Sequence, residues 1–247
     1  MQRTSIIIPS FNGKELLEEC VQSIKSYTHV PYEIIVVDNG SDDGTVQYCR
    51  EQKIAFISLP DNRGFPVACN LGLKIASGDT LLLLNNDVIV THSWLSNLLN
   101  CLHSSENIGI VGPLTNYASG KQQVNTDYDN MEQFHQQALE WNKPNPLLWQ
   151  PTHRLVGFCF LFKRDLMERI GYLDERFLQG HYEDDDYCYR AWRAGYQMKI
   201  AGDVRVHHYG SMSFKKQTSE QIYNLVHSNH LKFIEKWGID PHQYIES

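Results

Sequence analysis

SIIIPSFNGKELLEECVQSIKSYTHVPYEIIVVDNGSDD, residues 5–43, sets two short apolar runs on either side of one helical pattern. Ser5–Pro9 reads as a buried strand, because its isoleucines are β-branched and the run is far too short for a helix. Lys14–Tyr27 places Leu16, Leu17, Cys20, Val21 and Ile24 on a single helical face. Tyr32–Asp38 is a second strand that stops at the turn residues Asn39-Gly40-Ser41-Asp42. Strand, helix and strand joined by short connections form a crossover unit, the building block of a parallel sheet. The alternation continues outward with a helix over Thr45–Gln52, a strand over Ile54–Leu59 and a helix over Pro66–Ala76. A strand over Thr80–Leu84, a helix over Trp94–His103 and a strand over Ile108–Val111 follow. The spacing predicts an α/β fold, a Rossmann-like and mostly parallel central sheet flanked by helices.

The pattern changes at residue 114. Residues 114–152 are polar, rich in Asn and Gln, and contain Pro144, Pro146 and Pro151, so they read as an insertion with one helix over Met131–Trp141. Trp141 and Trp149 lie in it, placed either for local packing or to stack on a ligand. A strand over Leu155–Phe162 and a helix over Arg164–Ile170 resume the fold. The helix Asp184–Ala194 has acids at its start and Arg190 and Arg193 late, the polarity the helix dipole favours, with Asp186 and Arg190 spaced to pair. Strands over Gln197–Ile200 and Arg205–His208 and an amphipathic helix over Ser219–Trp237 complete the reading. No linker divides the chain. The expectation is one domain over 1–247, made of halves 1–113 and 153–215 around the 114–152 insertion, closed by a C-terminal helix in 216–247.

The 247 residues are 42% hydrophobic, enough for a sizeable core. With 22 basic against 29 acidic residues the formal charge is −7, and the longest basic cluster is Lys215-Lys216. A phosphate polymer would be repelled, so nucleic acid is excluded as a partner, as is electrostatic attachment to a membrane. The 6 cysteines, at 20, 49, 69, 101, 159 and 188, form no CxxC pair and fit neither a metal ribbon nor a disulfide framework. They read as reduced, buried thiols of a cytoplasmic protein. MQRTSIIIPSF has no leader-like apolar stretch, and Leu81–Leu84 falls far short of the ~20 residues of a spanning helix. The expected location is cytoplasmic, free or peripheral at the inner face of a membrane, whether the chain stands alone or as a module of a larger protein.

In an open parallel sheet ligands bind beyond the carboxyl ends of the strands. Those tips are Ser10-Phe11-Asn12-Gly13, Asp38-Asn39-Gly40-Ser41-Asp42-Asp43, Asp61-Asn62-Arg63-Gly64 and Asn85-Asn86-Asp87. Any one of them is explained by turn chemistry; four in register define a polar cleft. Asp87 follows a fully apolar run, so its carboxylate stands at the edge of the core, as a ligand for a hard divalent cation or as an Asx-turn cap. Glu183-Asp184-Asp185-Asp186 caps a helix or faces a cation or substrate. His207 and His208 point to opposite faces if extended, so both cannot hold one metal. There is no HExxH, GxGxxG or GxxxxGK[ST], which removes the support for zinc hydrolase, dinucleotide and P-loop chemistry.

Taken in order, SIIIPSFN, EIIVVDNGSDDGT, NRGFPVACNLGLKIASGD, LLLLNNDV, GFCFLFKRDLMERIGYLDERF, YEDDDYCYRAWRAGY and VHHYGSMS resemble the family 2 glycosyltransferases of GT-A fold, especially the rhamnosyltransferase and galactofuranosyltransferase-like branch. The resemblance covers Thr4 to Ser213. It implies that the first half binds a nucleoside-diphosphate sugar, a UDP- or dTDP-sugar, with Pro9 and Phe11 near the base, Asp38 hydrogen-bonding it, and Asn62 and Gly64 beside it. Asn85-Asn86-Asp87 falls at the DxD motif, with Asn at the first acid as in an NPD variant, leaving Asp87 as the metal carboxylate and Asn85 and Asn86 beside the donor. Asp184 matches the general base, with Glu183 as its neighbour. His208, followed by Tyr-Gly-Ser-x-Ser, matches a histidine that completes the metal shell.

The implied reaction is an inverting transfer to an acceptor hydroxyl on a glycan, a lipid-linked sugar or a protein, as in bacterial cell-surface polysaccharide or glycoprotein biosynthesis. It needs one base and one stabiliser of the leaving diphosphate, Mn2+ or Mg2+ on Asp87 and His208. An acidic cleft accepts a diphosphate only when a cation neutralises it. Two other readings stand beside this one: a sugar-nucleotide-binding protein with a degenerate site, and a sugar-1-phosphate nucleotidyltransferase. The second wants a glycine-rich basic loop near the N-terminus, and SIIIPSFN supplies none.

Overall fold

Side chains alternate between the faces of a strand, and the apolar runs of this chain are buried on both faces. In a computed structural model that describes residues 3–210 and 218–245, Ile6 and Ile8 pack on one side of the sheet and Ile7 on the other. Leu82 and Leu84 likewise join the first side, and Leu81 and Leu83 the second. Strands β1 (Thr4–Ser10), β2 (Tyr32–Asp38), β3 (Ala55–Ser58) and β4 (Thr80–Leu84) carry these runs. Helices α1 (Lys14–Tyr27) and α2 (Thr45–Glu51) cover the first side, and α3 (Phe65–Ile75) the second. Pro at the start of α3 suits a helical N-terminus, where its missing N–H costs nothing.

The remaining elements are β5 (Val88–Ile89), α4 (Trp94–Leu102), β6 (Ile108–Thr115), α5 (Met131–Trp141), β7 (Trp149–Thr152) and β8 (Cys159–Lys163). They are followed by α6 (Arg164–Ile170), α7 (Glu183–Arg193), β9 (Gln197–His208), α8 (Ser219–Trp237) and α9 (Pro241–Ile245). The sheet order is β3-β2-β1-β4-β8-β6-β9-β5, with β7 paired to β9. Strands β3, β2, β1 and β4 are mutually parallel, as are β6 and β9. The α/β fold with a helix-flanked central sheet is therefore as the sequence predicts, with β8 running antiparallel between β4 and β6.

That reversal matters for the site. Cys159 opens β8 opposite Leu84, the last residue of β4, so the residues just before β8 join the strand tips. The strand expected over Leu155–Phe162 accordingly starts later, and Val156, Gly157 and Phe158 are loop. Gln197–Ile200 and Arg205–His208 are one strand, because a bulge opposite Pro113 and Leu114 absorbs the break in pattern. The insertion supplies α5 as predicted, and also the edge strand β7, which its Trp and Pro content concealed. Neither tryptophan is among the described residues that line the cleft at the strand tips. Trp149 donates its Nε1–H to Asp203 at 2.8 Å, and Trp141 lies under the Arg205 guanidinium at 4.5 Å.

Close packing of α3 on the sheet sets one sharp requirement. A β-carbon at Gly72 would stand 2.4 Å from Ile7 Cγ2 and 3.1 Å from Val37 Cγ2. Gly72→Ala is expected to destabilise the fold by about 1–3 kcal/mol, the usual cost of overpacking. The measurement is a urea titration, in which the midpoint falls at unchanged slope; an unchanged midpoint would show that α3 can retreat at no cost.

Candidate functional site

The C-terminal tips of β1, β4, β6 and β9 converge with the entry to β8 on a cleft of about 910 Å3. Hydrogen bonds between loops build its first wall. Asn12 N–H donates to Ser41 Oγ at 2.9 Å, Asp42 N–H to Asn12 Oδ1 at 2.9 Å, and Lys14 N–H to Asp43 Oδ2 at 2.8 Å. Asn39, buried, donates to Asn62 Oδ1 and the Gly64 carbonyl and accepts from Arg63 N–H, which organises the loop between β3 and α3. Gly64 has φ +91, and a β-carbon there would lie 2.1 Å from the Leu178 carbonyl oxygen, so only glycine lets these two loops meet.

Of the residues named from sequence, Pro9, Phe11, Asn62, Gly64, Asn85, Asn86, Asp87, Asp184 and His208 all line this cleft. Asp38 does not. The residue is 1% exposed and its carboxylate accepts from Ser41 N–H and Ser58 Oγ–H at 3.1 and 3.0 Å, so it braces the wall from behind, and the adjacent Asn39 lines the cleft. Ser211 and Ser213, which carried part of the resemblance, lie outside the described residues.

Asp87 and His208 meet because the two-residue strand β5 pairs with the end of β9, Val88 opposite His208 and Ile89 opposite His207. Tyr209 N–H also donates to the Asp87 carbonyl at 3.0 Å. His208 Nε2 stands 3.1 Å from Asp87 Oδ1, and both side chains are buried. The backbone of His208 is clamped by Asn116, which accepts its N–H at 2.8 Å and donates to its carbonyl at 3.0 Å. His208 Nδ1 contacts the Tyr117 carbonyl oxygen at 2.8 Å, and since a carbonyl only accepts, the proton is on Nδ1. In a neutral ring Nε2 then presents a lone pair to a carboxylate, and it makes no hydrogen bond of acceptable geometry. An imidazole nitrogen and a carboxylate oxygen, both acceptors and facing each other under cover, fit a divalent cation between them. His207 points the other way, toward Tyr128 and Phe134, and burial, then the neighbouring His208, lower its pKa to about 4.

The acidic run divides its labour along α7. Asp186 is fully buried and accepts from Arg190, Lys236 and Trp237 at 2.8, 2.6 and 2.9 Å, which ties α7 to α8. Asp185 pairs with Arg154 at 2.6 Å, yet burial and the adjacent Asp184 still push it up to about 6. Asp184 Oδ2 accepts from Gly157 N–H and Oδ1 from the Asp185 N–H, each at 2.9 Å, which orients the carboxylate. Glu183 is buried with Oε2 unpartnered, and burial, then Asp184, push its pKa well above the ordinary carboxylate range.

Three supports of the site escaped sequence reading. Asn116 is one. Gln122, buried, accepts from Val156 N–H at 2.7 Å and donates to the Pro113 carbonyl at 2.9 Å, holding the loop that carries Gly157. Asn229 of α8 donates to the carbonyls of Phe177 and Gly180 at 2.8 Å, clamping a turn in which Leu178, His181 and Tyr182 all have positive φ. Their signal is a polar residue inside an otherwise apolar face, which a single sequence offers only for Asn229.

Residues 5–171 match glycosyl transferase family 2, and the chain belongs to that family. Glycosyltransferase AglE of Haloferax volcanii is 26% identical over 209 residues, covering 81% of this chain and 64% of that protein. The chain spans about three fifths of the length of the curated relatives it matches. Among solved structures, the mannosyltransferase PcManGT from Pyrobaculum calidifontis in complex with GDP-Man and Mn2+ superposes with a TM-score of 0.69 at 20% identity, over 95% of this chain and 64% of that one. GalNAc-T7 with UDP, GalNAc and Mn2+ superposes with a TM-score of 0.73 at 18% identity, over 99% of this chain and 50% of that one. These likenesses show a shared fold, the GT-A fold. Among the described residues, no helix is long and apolar enough to cross a membrane.

The position of Glu183 makes stability depend on pH in a defined direction. Its folded pKa is raised, so above about pH 4.3 the unfolded chain gives up a proton that the folded chain keeps, and rising pH favours unfolding through this group. The contribution is intact below the unfolded pKa and is lost as pH climbs through the folded one. Glu183→Gln, which cannot ionise, is expected to melt with the parent at pH 4 and above it at pH 8. A melting difference that is the same at both values would exclude the buried carboxylate as its cause.

Proposed function

We propose that the chain is an inverting, metal-assisted glycosyltransferase that moves a sugar from a nucleoside diphosphate to an acceptor hydroxyl. The observation that carries this reading is the charge balance of the cleft. Asp87, Glu183, Asp184 and Asp185 line it, and Arg154, among the described residues the one lining side chain with a permanent positive charge, already pairs with Asp185. A diphosphate enters such a site with a divalent cation or not at all. Asp87 and His208 are the residues that would hold Mn2+ or Mg2+, and the bound cation would act as a Lewis acid toward the leaving diphosphate.

The protein's own groups do the rest. Pro9, Phe11, Asn39 and the Asn62–Gly64 loop form the wall against which the nucleoside lies, with Asn85 and Asn86 at the floor. Asn86 donates to Ser10 Oγ at 3.1 Å, which fixes that floor to the tip of β1. Asp184 takes the proton of the acceptor hydroxyl as it attacks the anomeric carbon from the side opposite the diphosphate. Two backbone N–H groups hold this carboxylate in place and aim it, while burial, then Asp184, raise the pKa of the neighbouring Glu183. A single base suffices because the nucleophile is the acceptor and no water need be activated. The donor is a UDP- or dTDP-sugar in this reading, and the acceptor a glycan, a lipid-linked sugar or a protein.

Asp184→Asn is expected to lower transfer about 10²–10⁴-fold, the usual worth of a general base, with nucleotide affinity retained. Activity equal to the parent would remove Asp184 from the role; binding without transfer in the parent itself would mark a degenerate sugar-nucleotide binder. In a thermal-shift screen of UDP-, dTDP- and GDP-sugars, one nucleotide should raise the melting temperature only with Mn2+ or Mg2+ present. Asp87→Ala should abolish that shift, and Asn116→Ala should weaken the cation about tenfold, the usual effect of losing a group that orients a ligand. A shift that is independent of metal would overturn the cation assignment.

A further inference from the structure

At the edge of the cleft, α8 and α9 bring together two imidazoles and a carboxylate that the glycosyl-transfer reading leaves unused. His230 lies on α8, Asp240 in the turn after it and His242 in the first turn of α9, and their ligand atoms all lie within 4.8 Å of one another. His230 Nε2 is 3.2 Å from Asp240 Oδ1, which also accepts the His242 backbone N–H at 2.9 Å. The two rings stand 5.4 Å apart between centroids. That backbone N–H, and then the His230 ring, hold the Asp240 carboxyl below its ordinary value, so it is ionised at neutral pH. Pro241 opens α9 with a fixed φ and confines the turn between Asp240 and His242.

We propose that His230, Asp240 and His242 form a second metal site, for Zn2+ or a similar borderline divalent ion. Two imidazole nitrogens and one carboxylate oxygen are the donor set such ions take, at about 2.0–2.2 Å each, which sets ligand atoms roughly 3.4 Å apart around a tetrahedral ion. The present separations close to that value by small side-chain rotations, and three protein ligands leave a position for water. Imidazole donors favour this class over Mg2+, which takes oxygen. The surroundings support the ligands as an outer shell does. The His230 ring stacks on Tyr182 at 5.6 Å and 29°, and its neighbour Asn229 clamps the positive-φ turn that ends at Tyr182.

His242 itself lines the cleft. An ion here would fasten α9 to α8 behind the turn that leads into Glu183 and Asp184, at the mouth of a cleft whose lining is otherwise rich in acids. The site stands independently of the glycosyl-transfer reading, since neither Asp87 nor His208 contributes to it.

The test uses the full chain carrying Asp87→Ala, which removes the carboxylate of the other candidate cation site, and titrates it with Co2+ in equilibrium dialysis while recording the visible spectrum. One equivalent of Co2+ is expected, with the bands of an ion in a nitrogen and oxygen environment and no thiolate charge-transfer band. His242→Gln or His230→Gln, added to that background, should weaken binding at least tenfold. His242 is exposed and outside the core, so its variant keeps the fold. In parallel, Zn2+ should raise the melting temperature of the Asp87→Ala chain and leave that of the His242→Gln double variant unchanged. Binding of equal affinity in both glutamine variants, or no binding in the Asp87→Ala chain, overturns the proposal.

Discussion

The five residues of β4 have no access to water on either face, so each of their backbone groups must find a partner in a neighbouring strand. On one side β1 supplies the partners in parallel, Thr4 opposite Thr80 through Ile7 opposite Leu83. On the other side β8 supplies them in antiparallel, Leu84 opposite Cys159. This double pairing puts the tip of β1, the tip of β4 and the entry to β8 at one end of the sheet. Pro9 and Phe11, Asn85 to Asp87, and Val156 to Phe158 share a cleft for that reason. A different partner for the buried edge of β4 would leave Gly157 far from Asp184.

Charge is the second organising constraint. Consecutive carboxylates at the start of α7 repel one another, and the fold resolves this by giving each a separate environment. Asp186 faces two cations and an indole N–H, Asp185 faces a guanidinium, Asp184 faces two backbone N–H groups, and Glu183 is buried with its pKa raised. The dipole at the helix N-terminus favours the whole arrangement. What remains toward the cleft is one carboxylate oriented by two backbone N–H groups, in the cleft that the Asp87 and His208 pair also lines.

Much of this was legible in the chain. The strands Ser5–Pro9, Tyr32–Asp38 and Thr80–Leu84 and the helix Lys14–Tyr27 agree with the structure to within a residue or so, because burial on both faces leaves an unbroken apolar run and burial on one face leaves a helical period. The cleft residues were legible because Asn, Asp and Gly cluster where parallel strands end. The orientation of Asp38 was not legible, because a carboxylate after a strand can face the cleft or turn back into its own loop, and here it accepts from Ser41 and Ser58. Strand β5 was missed because two residues carry no period, and β7 because its tryptophan and proline break the apolar pattern of a strand. The roles of Asn116 and Gln122 were invisible because a polar side chain in a polar segment has no pattern to break.

The amino-acid sequence alone therefore determined the elements, the end of the sheet at which they gather their polar residues, and the family whose motifs they carry. Only the tertiary structure decided that β8 runs backward, that a two-residue strand carries Asp87 to His208, that Arg154 is already paired, and that α9 returns a histidine to the cleft. The division has a physical origin. Periodicity and turn preference are properties of neighbours along the chain, whereas strand partners, ion pairs and ligand sets join residues far apart in it, and those are selected by the packing of the whole.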